Sequence, residues 1–160
     1  MLVYLDNAAT TKIDKRVLQK MMPYYQKNYG NASSIHFMGQ ANDLKITACK
    51  KEIAKIINGD NNNIVFTSSA TESNNMIIKG VMRANRDKGN HFLISAIEHP
   101  CVLSSARELL NEGFVLDYIP VDNRGIVNLR ELKKKIKPET VLISVMAVNN
   151  EIGTIQPLQE

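Results

Sequence analysis

The chain has 160 residues, of which 44% are apolar and 22% are charged, and its 20 basic and 16 acidic side chains give a net charge of +4. This composition indicates a globular protein with one core, and the two well-separated cysteines, Cys49 and Cys101, argue against a disulfide framework or a metal site. The four lysines between positions 133 and 137 are interpreted as a solvated helix face, so direct nucleic-acid binding is not indicated.

Apolar periodicity predicts two helices before any strand. Residues 15–28 place their apolar side chains on one helical face, and residues 40–57 repeat that pattern up to a stop at Gly59.

Strand and helix patterns alternate over the rest of the chain. Strands are predicted at 64–67, 92–95, 115–119 and 141–148, and helices at 71–85, 101–111 and 128–136. Short strands joined through helices predict an α/β fold, a mostly parallel sheet with flanking helices. Because ligands bind beyond the carboxyl ends of such strands, the chemistry is expected in the loops after residues 66, 95 and 148.

The first of these loops, residues 67–75, reads TSSATESNN and passes from a predicted strand into a helix. Backbone N–H groups at a helix start, together with nearby hydroxyls, form an anion site that suits a phosphate. A plain capping box between Ser68 or Ser69 and Glu72 explains the same residues. Read alone, this loop leaves both interpretations open.

The second loop carries Glu98, His99 and Pro100 directly after a strand. An imidazole at this place can stack on a flat aromatic ligand or move protons near neutral pH. The alternative is a histidine that only caps the helix beginning at Pro100.

The third loop, residues 149–153, reads NNEIG and follows the longest apolar strand. Its amides can donate to a phenolic or carboxylate oxygen of a ligand, or the segment is only a turn. All three loops fall at one end of the predicted sheet. Together they offer a phosphate cradle, an imidazole and an amide, the parts that pyridoxal 5'-phosphate requires.

Five segments in family order resemble blocks of the NifS/IscS-type cysteine desulfurases, which are class V aminotransferases. Residues 4–11 (YLDNAATT) are similar to the opening signature of that family, and residues 30–36 (GNASSIH) are similar to its next block. The three loops resemble the family segments TSGATESNN, EHP and NNEIG. The resemblance covers the whole chain and corresponds to the amino-terminal part of such an enzyme.

The resemblance implies part of the large domain of a fold-type I, pyridoxal phosphate-dependent transferase that acts as a homodimer. Such an enzyme converts L-cysteine to L-alanine and passes sulfur, as an enzyme persulfide, to a sulfur-acceptor or iron–sulfur scaffold protein. Carried over by motif, Ala70 and Thr71 would bind the cofactor phosphate. His99 would stack on the pyridine ring and take the proton of the substrate thiol. Such a base is needed because a free cysteine thiol is mostly protonated at pH 7. Asn150 would hydrogen-bond the phenolic oxygen.

Three positions depart from the family pattern. Ser69 stands where glycine is usual, which would alter the loop backbone if that position needs a positive φ. Ala32 replaces the usual proline. Ala147 stands where many members of the family have a histidine or leucine, and no function is attached to it. Asn7 and the loop near His36 are expected around the site entrance, a looser assignment.

The resemblance also implies three groups downstream of the NNEIG block: an aspartate beside the pyridine nitrogen, a lysine that binds the cofactor covalently, and a cysteine that accepts sulfur. Neither Cys49 nor Cys101 matches that cysteine. The expectation is a fragment, split gene or truncated product that is inactive by itself. Selenocysteine lyase, another fold-type I lyase, and a non-catalytic remnant acting only through binding are the alternatives.

Two further expectations concern organisation and location. Residues 1–15 are predicted to pack with a small domain, and residues 16–160 to form the first part of the large domain, whose strand order in the family is 3-2-4-5-6-7-1. Because no apolar stretch approaches ~20 residues and the start lacks signal-peptide features, a cytosolic protein without a membrane partner is expected.

Overall fold

A computed structural model describes residues 3–159, which fall into two compact units, the first ending at Phe66 and the second beginning at Thr67. Among residues 3–159, no helix combines the length and the apolar character that crossing a membrane requires.

The first unit contains two helices and very little core. Its helices are α1, Lys15–Gln26, and α2, Phe37–Ile56, followed by one 3-10 turn at Asn61–Asn63. No residue of α1 is buried, and in α2 only Gly39 and Ala54 are buried. The two predicted helices are therefore present, but little within this unit covers their apolar side chains.

The second unit is a three-stranded parallel sheet with helices on both faces. Its elements in chain order are α3 (Ala70–Ala84), β1 (His91–Ser95), α4 (Pro100–Leu110), β2 (Val115–Ile119), α5 (Leu129–Lys135) and β3 (Thr140–Ser144). The strand order is β2-β1-β3, so β1 lies in the centre, and all five of its residues are buried. In the family order 3-2-4-5-6-7-1, the predicted strand at 64–67 counts as strand 1, so β1, β2 and β3 correspond to strands 2, 3 and 4. The observed order is therefore the 3-2-4 portion. The predicted α/β fold is confirmed.

Alternating side chains of β1 form two cores, one on each face of the sheet. Phe92 and Ile94 pack with buried residues of α3 and α4. Leu93 points to the other face, where it packs with Ile119 and Val127. The period-2 pattern of a buried parallel strand thus holds the helices in place on either side.

Two of the four predicted strands are wrong in whole or in part. Residues 64–67 form no strand, because no described segment pairs with them and an unpaired strand has no ladder to stabilise it. The fourth strand stops at Ser144 rather than at residue 148, because the N–H of Met146 donates to the side chain of Glu98 (2.6 Å) and leaves the ladder.

A polar network joins the amino ends of the strands. The hydroxyl of Thr140 accepts from the N–H of Lys137 (2.8 Å) and lies 2.7 Å from Nδ1 of the buried His91, whose Nε2 lies 3.1 Å from Asp117. The ammonium of Lys137 also donates to Asp117 (3.1 Å). The hydrogen bond from Lys137, and secondarily the one from His91, lowers the pKa of Asp117.

Candidate cofactor site

Hydrogen bonds join the three predicted loops at the carboxyl end of the sheet. The amide of Asn74, in the first loop segment, donates to Sγ of Cys101 (3.2 Å), directly after the EHP segment. The amide of Asn149, in the third loop, donates to the carbonyl oxygen of Ile97 (3.0 Å), directly before it. The structure therefore brings together the three segments that the sequence singled out separately.

The start of α3 is a capping box. Oγ of Ser69 accepts from the N–H of Glu72 (3.3 Å), and the Glu72 carboxylate accepts from the N–H and the hydroxyl of Ser68 (2.6 and 2.7 Å). The Ser68 N–H, and secondarily its hydroxyl, lower the pKa of Glu72. The capping-box interpretation of this loop is confirmed, and the box uses Ser68, Ser69 and Glu72 without involving Ala70 or Thr71.

The backbone at Ser69 resolves the question raised by the missing glycine. Its φ of −166° and ψ of 165° are extended, so a side chain is accommodated without strain. Serine is also a stronger N-cap than glycine. The substitution therefore stabilises the helix start rather than distorting it.

His99 caps α4. It is exposed, and its Nδ1 accepts from the N–H of Cys101 (3.2 Å) while lying 3.0 Å from Sγ of the same residue. The capping interpretation is correct for this conformation. The stacking of the ring on a cofactor stays a prediction.

The two asparagines of the third loop have different roles. Asn149 is buried, and its Oδ1 accepts from the N–H groups of Glu151 (2.9 Å) and Ile152 (3.0 Å), so it shapes the turn. Asn150 is exposed, and its amide reaches only Glu151 (2.9 Å) among the described residues. Asn150 is thus available to a ligand.

Sequence reasoning missed the part played by Glu98. This carboxylate is buried and accepts from the hydroxyl of Ser95 (2.8 Å) and from the N–H of Met146 (2.6 Å), so it holds the ends of β1 and β3 together. A carboxylate three positions after the end of a buried strand was the available signal, because buried charges require partners.

The residues present fit pyridoxal phosphate. The N–H groups of Ala70 and Thr71 open α3 and have no acceptor among the described residues, which suits a phosphate at a helix start. The Glu72 carboxylate is bound to Ser68 and does not occupy those two donors. The imidazole of His99 and the amide of Asn150 are both exposed, so each is open to a ligand.

Residues 3–160 match the family model described as class V aminotransferases. The chain belongs to this family. The predicted family membership is therefore confirmed for the whole of its matched length.

Class V relatives that carry curated names include cysteine desulfurases. The chain is 51% identical over 159 residues to the mitochondrial cysteine desulfurase of Candida maltosa and 47% identical over 158 residues to the cysteine desulfurase IscS of Methanosarcina thermophila. These matches take in 99% of the chain but only 33% and 39% of the two relatives. The chain thus spans between a third and two fifths of their length.

Solved structures of this class agree with the fold. A NifS-like protein superposes with a TM-score of 0.95 at 43% identity, over 99% of this chain and 44% of that protein. A structure described as SspA in complex with cysteine superposes with a TM-score of 0.88 at 34% identity, over 94% of this chain and 44% of that protein.

Proposed function

We propose that this chain supplies the phosphate-binding and ring-facing part of a pyridoxal phosphate-dependent cysteine desulfurase. The observation that carries the proposal is the pair of hydrogen bonds that join the three loops, Asn74 to Cys101 and Asn149 to Ile97, at one end of the parallel sheet. The names of the relatives supply the reaction class, the removal of sulfur from cysteine. By the family resemblance, the products are L-alanine and a persulfide on an enzyme cysteine.

Each site residue has a distinct task in this proposal. Pyridoxal phosphate, when bound, supplies an electron sink for reactions at the carbon that bears a substrate's amino group. The N–H groups of Ala70 and Thr71 bind its phosphate, and the α3 dipole favours that negative charge. Asn150 donates to its phenolic oxygen. His99 lies against the pyridine ring and takes the proton of the substrate thiol.

The proposal extends to partners and organisation. It includes a homodimer, a sulfur-acceptor or iron–sulfur scaffold protein, and a segment of residues 1–15 that packs with a small domain. Residues 3–14 contain no helix or strand and are exposed throughout, which suits a segment that packs elsewhere. By the resemblance, the lysine that binds the cofactor lies beyond residue 160, so a polypeptide limited to these residues is inactive.

Location and substrate choice belong to the same proposal. A cytosolic site of action stays a prediction, since several relatives are named as mitochondrial. The relatives named above are cysteine desulfurases, and no observation favours selenocysteine lyase or a remnant that only binds.

Replacing His99 by asparagine in the full-length protein separates catalysis from capping. Asparagine is among the best N-caps, so His99→Asn keeps the start of α4, whereas His99→Ala loses both the cap, about 1 kcal/mol, and the imidazole. We expect both variants to lower cysteine turnover by ~10²-fold, and only His99→Ala to lower the unfolding midpoint. Alanine and sulfide release measure turnover, and undiminished turnover in His99→Asn would remove His99 from the proposed chemistry.

A further inference from the structure

Three polar side chains form a chain of contacts between the first turns of α3 and α4. Asn74 Nδ2 lies 3.2 Å from Cys101 Sγ, and Sγ lies 3.0 Å from His99 Nδ1. The same Nδ1 lies 3.2 Å from the backbone nitrogen of Cys101. In the function proposed above, the bond between Asn74 and Cys101 joins two loops, but neither residue has a chemical task, so their contacts with His99 need their own account.

The hydrogen bonds among these three residues can be oriented in only one way. A backbone N–H always donates, so Nδ1 of His99 accepts from Cys101 and carries no proton itself. The Cys101 thiol must then donate its S–H to Nδ1, since two acceptors do not attract each other. Asn74 Nδ2 is a donor, so it gives its hydrogen to the sulfur. The single lone pair of Nδ1 is then shared between the N–H and the S–H of Cys101.

We propose that Asn74 and Cys101 are positioning residues that hold neutral His99 in the tautomer with its proton on Nε2. No described residue lies within hydrogen-bonding distance of Nε2, and His99 is exposed, so this nitrogen is the one that faces an incoming molecule. The free edge of the resting imidazole is a proton donor.

The consequence for a thiol substrate rests on the proposed function. A nitrogen that already carries a proton cannot take another, so Nε2 accepts the thiol proton only if its own proton first passes to water while Nδ1 gains one from water. The number of protons on the ring is then unchanged, but Nδ1 becomes a donor and the Cys101 N–H loses its acceptor. If Nδ1 accepts the thiol proton instead, it must first give up its hydrogen bond with the N–H of Cys101. By either route the α4 cap opens before His99 acts as a base.

The tautomer is directly measurable in the cofactor-free, full-length protein by ¹⁵N NMR of labelled histidine, with the His99 signals assigned by their loss in His99→Asn. The pH is raised until the chemical shifts of His99 no longer change, and the spectra are recorded there. We expect an unprotonated Nδ1 and a protonated Nε2. A protonated Nδ1, or protons on both nitrogens as in an imidazolium paired with a thiolate, would overturn the proposal.

Variants test which groups set the tautomer. Cys101→Ala removes the S–H donor and should shift the ratio of the two tautomers by roughly two- to tenfold toward Nδ1–H, the range expected for one lost hydrogen bond, while Cys101→Ser should restore it. Asn74→Ala should shift the ratio in the same direction by a smaller factor. An unchanged ratio in Cys101→Ala, or a ratio that serine does not restore, would refute a positioning role for the thiol.

Two control variants change a cysteine and an asparagine that do not belong to the network of His99, Cys101 and Asn74. Cys49→Ala removes the other, exposed cysteine, and Asn75→Ala removes the next asparagine, whose amide bonds to Thr71 instead of Cys101. Both should leave the His99 signals unmoved. Because the readout needs neither cofactor nor turnover, a failed desulfurase assay and a failed tautomer assignment remain distinguishable.

Discussion

Asn149 and Asn150 are adjacent in the chain, yet only one of them holds the loop together. The Asn149 amide spans from the loop after β3 to Ile97 in the loop after β1, while its oxygen accepts from two N–H groups of its own turn. Among residues 3–159, the Asn150 amide bonds only to its neighbour Glu151. The first residue is therefore structural, and the second is available for binding.

Replacing each asparagine by alanine should separate the two roles. Asn149→Ala leaves two N–H groups and a carbonyl oxygen without partners, so the free energy of unfolding should fall by about 1–3 kcal/mol. Asn150→Ala breaks one exposed contact and should leave stability nearly unchanged while weakening cofactor binding in the full-length protein. Chemical denaturation and cofactor titration measure the two effects, and equal losses of stability in both variants would contradict the division.

At the scale of elements, the helices and the apolar strands were predictable because their patterns are local. The predicted strand 115–119 has the observed bounds, and the helix predicted at 71–85 is shifted by a single residue at each end. Residues 64–67 show the limit of this reasoning. Their apolar run is typical of a strand, but a strand exists only beside a partner, and the partner is not encoded in the run itself.

The candidate site was predictable to the same extent. The second and third loops could be placed at one edge of the sheet from strand polarity, and a hydrogen bond between them agrees. The first loop follows no strand in the structure, so its place beside them rests on the bond from Asn74 to Cys101. The tasks of Glu98, Asn149 and Cys101 could not be read in this way, since each depends on an atom contributed by another loop or by the geometry of a helix start.

Gly80 and Gly89 give an element-scale test of how α3 is connected to the sheet. A Cβ on Gly89 would overlap the backbone of Glu139, just before β3, whereas a Cβ on Gly80, in the middle of α3, would meet nothing. We expect Gly89→Ala to destabilise by about 1–3 kcal/mol through overpacking. Gly80→Ala should stabilise by about 0.5–1 kcal/mol, since alanine favours a helix interior.

Thermal unfolding of the two variants beside the parent protein gives the comparison. The sign of the effect is the test, because both changes add the same methyl group. A destabilised Gly80→Ala together with a neutral Gly89→Ala would mean that the packing between the α3–β1 connection and the segment before β3 is misassigned.

At the scale of the whole molecule, exposed apolar surface in the first unit exceeds what its small core can offset. This unit also contains an open cavity of about 500 Å³ lined mainly by apolar side chains. Large side chains that stand mostly in solvent include Leu5 (82% exposed), Tyr25 (70%), Tyr29 (72%), Ile35 (92%) and Phe37 (79%). Burying one such side chain contributes roughly 1.5–3 kcal/mol, so the unit forgoes much of the stabilisation that its sequence encodes.

The sheet of the second unit has the same shortage of cover at its edge. β1 is buried throughout, but no residue of β3 is fully buried. No strand within residues 3–159 pairs with the outer edge of β3, so backbone groups at that edge lack strand partners. Ile143 in that strand is 42% exposed. Such an edge is a template for pairing with another chain.

These features predict how a polypeptide limited to residues 1–160 behaves when it is expressed alone. Net stability of a domain is only ~5–15 kcal/mol, and both the uncovered helices and the open sheet edge subtract from it. We expect this polypeptide to self-associate or to be partly unfolded, and a peptide of residues 1–66 to show no cooperative transition. Residues 67–160, which contain both cores, should retain more structure than residues 1–66. Size-exclusion chromatography with light scattering and thermal unfolding measure all three. A monodisperse monomer of residues 1–160 with a sharp transition would show that these apolar faces need no cover, and the argument from exposure would then be wrong.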